Sequence, residues 1–250
     1  MSRKGNSHYI SSTGAQDQAV IQGVQWLLGE AKKSDNVGIV AVSTKGNLEN
    51  IANWSQLADL FNQLRRHGSA TIQGVTLQLM TLRDQKYNFD GPILAIYGGH
   101  KLLDAVDGIA GQASVLYIPW AEGDGDKWVQ TWHATELGQN AVPDDQQSEP
   151  TSGAAFVALE SLTQRVNLNT GIVHSSDRES AIRTLETLFH KQTPVTPELI
   201  RQQLIRLGWA PKDAGDVEKL AEMIWDGRRP KTSTGTADEG LWDYWNSKAN

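Results

Sequence analysis

At 250 residues the chain is long enough for one large domain or two smaller ones, and 39% hydrophobic with 21% charged residues is the balance of a globular chain rather than a disordered one. A net charge of −6 speaks against a general nucleic-acid coat, because phosphate contacts need clustered Lys and Arg. With no cysteine there can be no disulfide, thiolate metal site or cysteine nucleophile, and a cytoplasmic location is the expectation. No apolar run approaches the roughly 18 residues that cross a bilayer, so no membrane association is expected. The basic start, MSRKGNSHYISSTG, has no apolar stretch behind it, so a secretory signal is not expected there.

Along residues 15–34, Ala19, Val20, Gly23, Val24, Leu27, Leu28 and Ala31 fall on one helical face. Val37–Ser43 is a short β-branched run of the kind that forms a strand buried on both faces. It ends in the loop Ser43-Thr44-Lys45-Gly46-Asn47. Asn53 with Gln56 has capping-box spacing and predicts a helix over Ser55–Arg66. Val75–Leu82 alternates with strand period. Ile93–Tyr97 is a second buried-type run, closed by Gly98-Gly99, and a helix is expected over His100–Ile109. Val115–Ile118 is a third run, stopped by Pro119. A helix over Asp126–Thr135 carries Trp128 and Trp132 at i and i+4, with Asp126 expected as its cap. This alternation predicts an α/β, Rossmann-like, mainly parallel sheet with helices on both faces over residues 1–138.

Residues 139–153, polar with two prolines, read as a linker. From there the pattern is all-α, over residues 154–228. Ser176 and Glu179 have capping-box spacing before a helix Asp177–His190. Thr196-Pro197 opens a helix to Leu207, Gly208 ends it, and Asp213–Trp225 follows. The C-terminal tail, 229–250, is polar apart from Leu241, Trp242 and Trp245, and Trp242 and Trp245 predict that it docks.

In open α/β sheets ligands bind beyond the carboxyl ends of the strands. Three loops qualify, carrying Ser43, Thr44, Lys45 and Gly46, then Gly98, Gly99, His100 and Lys101, then Trp120. Two lysines, a histidine, hydroxyls and free backbone N–H groups suit a small anionic, phosphate- or nucleotide-like ligand. Over residues 15–52 the helix, short strand and Ser/Thr-Lys-Gly loop resemble the effector-binding C-terminal domain of pyruvate kinases. That resemblance implies a sugar-phosphate grip at the loop and no activity. His100, Asp104 and Asp107 share a helical face, but a solvated acidic face explains them, and no metal or other cofactor is expected. Glycine-rich nucleotide fingerprints, HExxH pairs and Gly-x-Ser-x-Gly elbows are absent from the sequence.

The leading expectation is a non-catalytic regulatory or interaction protein that senses a small anion and, with nine tryptophans as anchors, binds a protein partner or itself. A second expectation is an enzyme using Lys45, His100 and Lys101 on a phosphorylated or nucleotide-like substrate. A third, with less behind it, is DNA binding through the C-terminal helices, whose Arg201, Arg206, Lys219, Arg228 and Arg229 could meet phosphates. The acidic start of the second of those helices argues against it.

Overall fold

The computed structural model describes residues 6–84, 88–138, 153–231 and 237–249, which form two compact units, one of α/β and one of helical structure. Residues 139–152 of the expected linker lie outside the described residues.

The α/β unit is built on a seven-stranded sheet of order β3-β4-β2-β5-β6-β1-β7, with β1 Ser7–Tyr9, β2 Val37–Ala41, β3 Ser69–Ile72, β4 Val75–Met80, β5 Ile93–Ile96, β6 Val115–Ile118 and β7 Thr135–Glu136. Every neighbouring pair is parallel except β3 with β4. The buried runs alternate between two faces. Val40, Val42, Leu94, Ile96, Leu116 and Ile118 pack with helices α1 (Asp17–Ala31), α2 (Lys45–Ala52) and α3 (Ala58–His67). Ile39, Ala41, Ile93, Ala95, Val115 and Tyr117 pack with α4 (Gly99–Asp107) and α5 (Asp126–Trp132). Each large apolar side chain so buried contributes about 1.5–3 kcal/mol, which makes the two faces the main source of cohesion.

Three strands were not expected: β1, β3 and β7. The last takes Thr135 out of the helix expected over Asp126–Thr135, because α5 ends at Trp132 with His133 at positive φ (47°). β1 is three residues long, too short for a period to show. β3 is joined to β4 by Gln73-Gly74, both at positive φ (50° and 80°), the conformation of a two-residue type I′ hairpin. The usual Asn-Gly or Asp-Gly signal is absent because Gln takes the first position.

Local caps also differ from expectation. The 43–47 loop is shorter than the sequence suggests, since α2 starts at Lys45. The Asn47 carboxamide oxygen accepts from the Thr44 amide (2.9 Å) and hydroxyl (2.8 Å). The helix after Asn53 begins at Ala58, not Ser55. Ser55 and the Gln56 amide instead donate to the Asp17 carboxylate, at 2.7 and 3.2 Å, which ties the start of α1 to the α2–α3 connection. Asp126 is the first residue of α5 and caps nothing. Asp124 accepts the Ala121 amide at 3.0 Å, and Gly125 (φ 84°) opens the helix.

Asp107 clamps α4 to α5: its two oxygens accept the indole N–H groups of Trp128 (3.0 Å) and Trp132 (2.9 Å). Asp107→Asn turns an amide N–H₂ toward one indole donor. We expect a loss of about 1–3 kcal/mol in urea denaturation. An unchanged midpoint would mean that the clamp carries no stability.

His8 on β1 packs its ring edge on Trp26 and meets the Thr135 hydroxyl at 2.9 Å. Burial holds its pKa below the usual histidine value, with Glu30 and Thr135 offsetting part of the shift. The unfolded chain therefore binds this proton at a higher pH than the folded one, and stability falls as pH drops through about 6.5 toward the folded value. His8→Phe is expected to flatten that part of the stability–pH curve. An unaltered slope would assign the acid sensitivity elsewhere.

The helical unit consists of α6 (Gly153–Arg165), α7 (Ser175–His190), α8 (Pro197–Arg206), α9 (Pro211–Trp225) and α10 (Glu239–Ala249). Thr196 caps α8 by accepting the Leu199 amide at 3.2 Å, ahead of Pro197 at the first helical position. Trp209 is buried and donates to the Thr163 hydroxyl at 2.8 Å, while Trp225 packs on Phe189 with ring centroids 5.4 Å apart. Within the expected tail, residues 239–249 are helical and pack on α6 and α7, with Trp245 fully buried and Trp242 half-buried. Lys191 pairs with Glu239 and sits 5.8 Å from the Trp242 ring centre. Among the described residues no helix is long and apolar enough to cross a membrane.

Candidate functional site

The chain leaves adjacent strands β2 and β5 toward opposite faces, through α2 and α4. This reversal opens a crevice at the carboxyl edge of the sheet. There the three loops expected from the sequence converge. The Ser43 hydroxyl donates to the Gly98 carbonyl at 3.3 Å, and Tyr97, just before Gly98, packs edge-on against Trp120 with ring centroids 5.1 Å apart. A fourth loop, Ser11–Gln16 after β1, joins them through the Gly14 amide, which donates to the Trp120 carbonyl at 2.6 Å.

The charged residues do not converge. Lys45 is exposed at the start of α2, on one face of the sheet, and His100 and Lys101 are exposed on α4, on the other. None of the three lines either cavity of this edge. Thr44 is engaged in the α2 cap, and Gly46 lies exposed in the first turn of that helix. Gly98 is held by packing, since a Cβ there would lie 2.2 Å from Leu102 Cδ2. Gly99 takes φ 57° to start α4. With Asp107 committed to two indoles, the His100/Asp104/Asp107 face has a structural role. Among the described residues no three His, Asp or Glu side chains gather as a metal would require.

The first cavity, about 390 Å³, lies between the loops after β1 and β6, on the α5 side. Ser11, Ser12 and Thr13 line it with the Tyr117 ring, Glu122, Asp124 and Asp126. Ser12 and Tyr117 are its informative members. Ser12 is 7% exposed and Tyr117 0%, and neither hydroxyl has a hydrogen-bond partner. A buried polar group left unpaired costs about 1–3 kcal/mol, and two such groups fall on residues that line this cavity, with both oxygens buried beneath its surface. Burial pushes the Tyr117 phenol far above its ordinary pKa. Asp124 adds to the shift, and the Gly99 backbone offsets a little without reaching hydrogen-bond geometry. Tyr117 is thus a proton donor throughout the working pH range. Gly125 fixes its ring: a Cβ at that φ 84° position would stand 2.4 Å from Tyr117 Cε1.

The second cavity, about 280 Å³, opens on the α2 side and shares Asp124 with the first. Its walls are Asn47, Asn50 and Ile51 of α2 with Trp54, Tyr97 and Trp120. Trp120 was expected here from the sequence, but Tyr97, Trp54 and the Ser11–Thr13 loop were not, because that loop carries weight only once β1 is known to be a strand. The Ser-Ser-Thr-Gly run before a strong helical pattern was the available signal.

No curated protein and no solved structure matches the chain. Residues 155–246, which run from α6 into α10, match the family described as a domain of unknown function (DUF1889), so the similarity falls on the helical unit and leaves the carboxyl-edge cavities outside it.

Proposed function

We propose that this is a ligand-binding protein of regulatory or interaction type, whose α/β unit captures a small hydroxyl-bearing ligand at the carboxyl edge of its sheet. The buried, unpartnered hydroxyls of Ser12 and Tyr117, two residues that line the first cavity, carry this reading: a small side-chain shift would bring them to a bound ligand. The ligand is uncharged or cationic rather than anionic. Glu122, Asp124 and Asp126 line the cavity and no Lys, Arg or His does, so a phosphate would meet only repulsion there.

Binding through the C-terminal helices to DNA has less support. Arg201 pairs with Glu218 at 3.6 Å, Lys219 with Asp216 at 3.0 Å and Arg228 with Asp226 at 3.0 Å. Three of the five cations offered to phosphates are thus met by carboxylates of their own unit.

Thermal-shift measurements with uncharged sugars, polyols and nucleosides, set against inorganic phosphate, test the proposal. A neutral hydroxylated compound should raise Tm and phosphate should not. Tyr117→Phe has a signature that a merely structural residue lacks. It removes an unpaired hydroxyl, so the ligand-free protein gains about 1 kcal/mol while the ligand-induced shift shrinks. A variant that loses stability without ligand, or a phosphate that outperforms every neutral compound, would refute the reading.

A further inference from the structure

The second cavity has more aromatic wall than hydroxyl recognition requires. We propose that it is an aromatic cage for a quaternary or methylated ammonium group of a small molecule. Trp54, Tyr97 and Trp120 line it, with Tyr97 inclined 45° to Trp54 (centroids 6.3 Å apart) and 79° to Trp120 (5.1 Å). A flat nucleobase needs parallel faces to slide between. Rings inclined to one another suit a compact group instead, and an aromatic wall attracts a cation. Asp124 supplies a carboxylate in the same wall, and no Lys, Arg or His lines the cavity. A methylated ammonium is the cation these walls suit, because it is large, weakly hydrated and asks for no hydrogen bond.

The backbone adds an independent argument. Tyr97 sits at φ 55°, a left-handed conformation that few ring-bearing residues adopt. Such strain persists where the surrounding structure insists on a side-chain position, and it clusters at ligand sites. Here it falls just after β5, on the residue whose ring packs against both of the other two. The cage shares Asp124 with the hydroxyl-lined cavity but needs neither Ser12 nor Tyr117, so it stands whether or not that cavity is filled.

Isothermal titration of the full chain with tetramethylammonium and choline, against 3,3-dimethylbutan-1-ol as choline's uncharged isostere, tests the cage. Both cations should bind, and the isostere at least ~10-fold more weakly. Trp120→Ala, at a ring 48% exposed in the folded protein, should weaken choline at least ~10-fold, and Asp124→Asn should weaken it several-fold, to about a third or less. Tetramethylammonium carries no hydroxyl, so its binding and its loss in Trp120→Ala separate this site from the hydroxyl-lined one. Equal binding of the isostere, insensitivity to Trp120→Ala, or no binding of either cation overturns the proposal.

Discussion

Gly98→Ala is expected to cost the α/β unit about 3 kcal/mol, read as a lowered urea midpoint. The backbone at Gly98 is ordinary (φ −109°), so the cost is steric rather than conformational. A Cβ would stand 2.2 Å from Leu102 Cδ2 and 2.3 Å from Leu102 Cβ. No rotamer of Leu102 moves its own Cβ, so α4 would have to shift. Leu102, Leu103 and Val106 anchor α4 in the core, at 0–1% exposure. Gly46 gives the contrast. A Cβ there would meet only Thr44 Oγ1 at 3.5 Å, an ordinary contact on an exposed first turn. Gly46→Ala should therefore be neutral or gain up to about 1 kcal/mol. If both variants behave alike, Leu102 does not close over the Gly98 backbone at the start of α4.

Trp245→Ala should cost the helical unit about 3–5 kcal/mol, the range for deleting a large buried aromatic. Trp245 is fully buried where α10 packs on α6 and α7. Its indole N–H has no partner. Trp245→Phe keeps most of the buried ring and removes that unpaired donor, so it should cost less than about 1.5 kcal/mol. Tyr244, 52% exposed, is the control, and Tyr244→Ala should stay within about 0.5 kcal/mol. A Trp245→Ala loss as small as that control would mean that α10 contributes nothing to the helical core.

The architecture was legible where apolar pattern and length agreed. Val37–Ala41, Ile93–Ile96 and Val115–Ile118 are strands as their β-branched runs predict, and helices separate them. What stayed hidden had no period to show. β1 spans three residues, and the β3–β4 hairpin turns on Gln73, a residue that gives no turn signal at positive φ. The carboxyl edge followed from the alternation of elements, but its chemistry did not. Lys45 and Lys101 look paired along the sequence, yet the reversal that creates the crevice also sends α2 and α4 to opposite faces. The groups that line the cavities come from the loop after the unread strand β1, and from Tyr97 and Trp54, which nothing in a linear reading singles out.

Backbone shift mapping by NMR on the full chain, titrated with a neutral polyol, tetramethylammonium and inorganic phosphate, tests the location and charge preference of the site together. The polyol should perturb amides at Ser11–Thr13 and Ala121–Asp126, and tetramethylammonium those at Asn50–Trp54, Tyr97–Gly99 and Trp120. Phosphate should leave all of them unmoved. Shifts centred on Lys45 or Lys101, with phosphate the strongest titrant, would contradict the account.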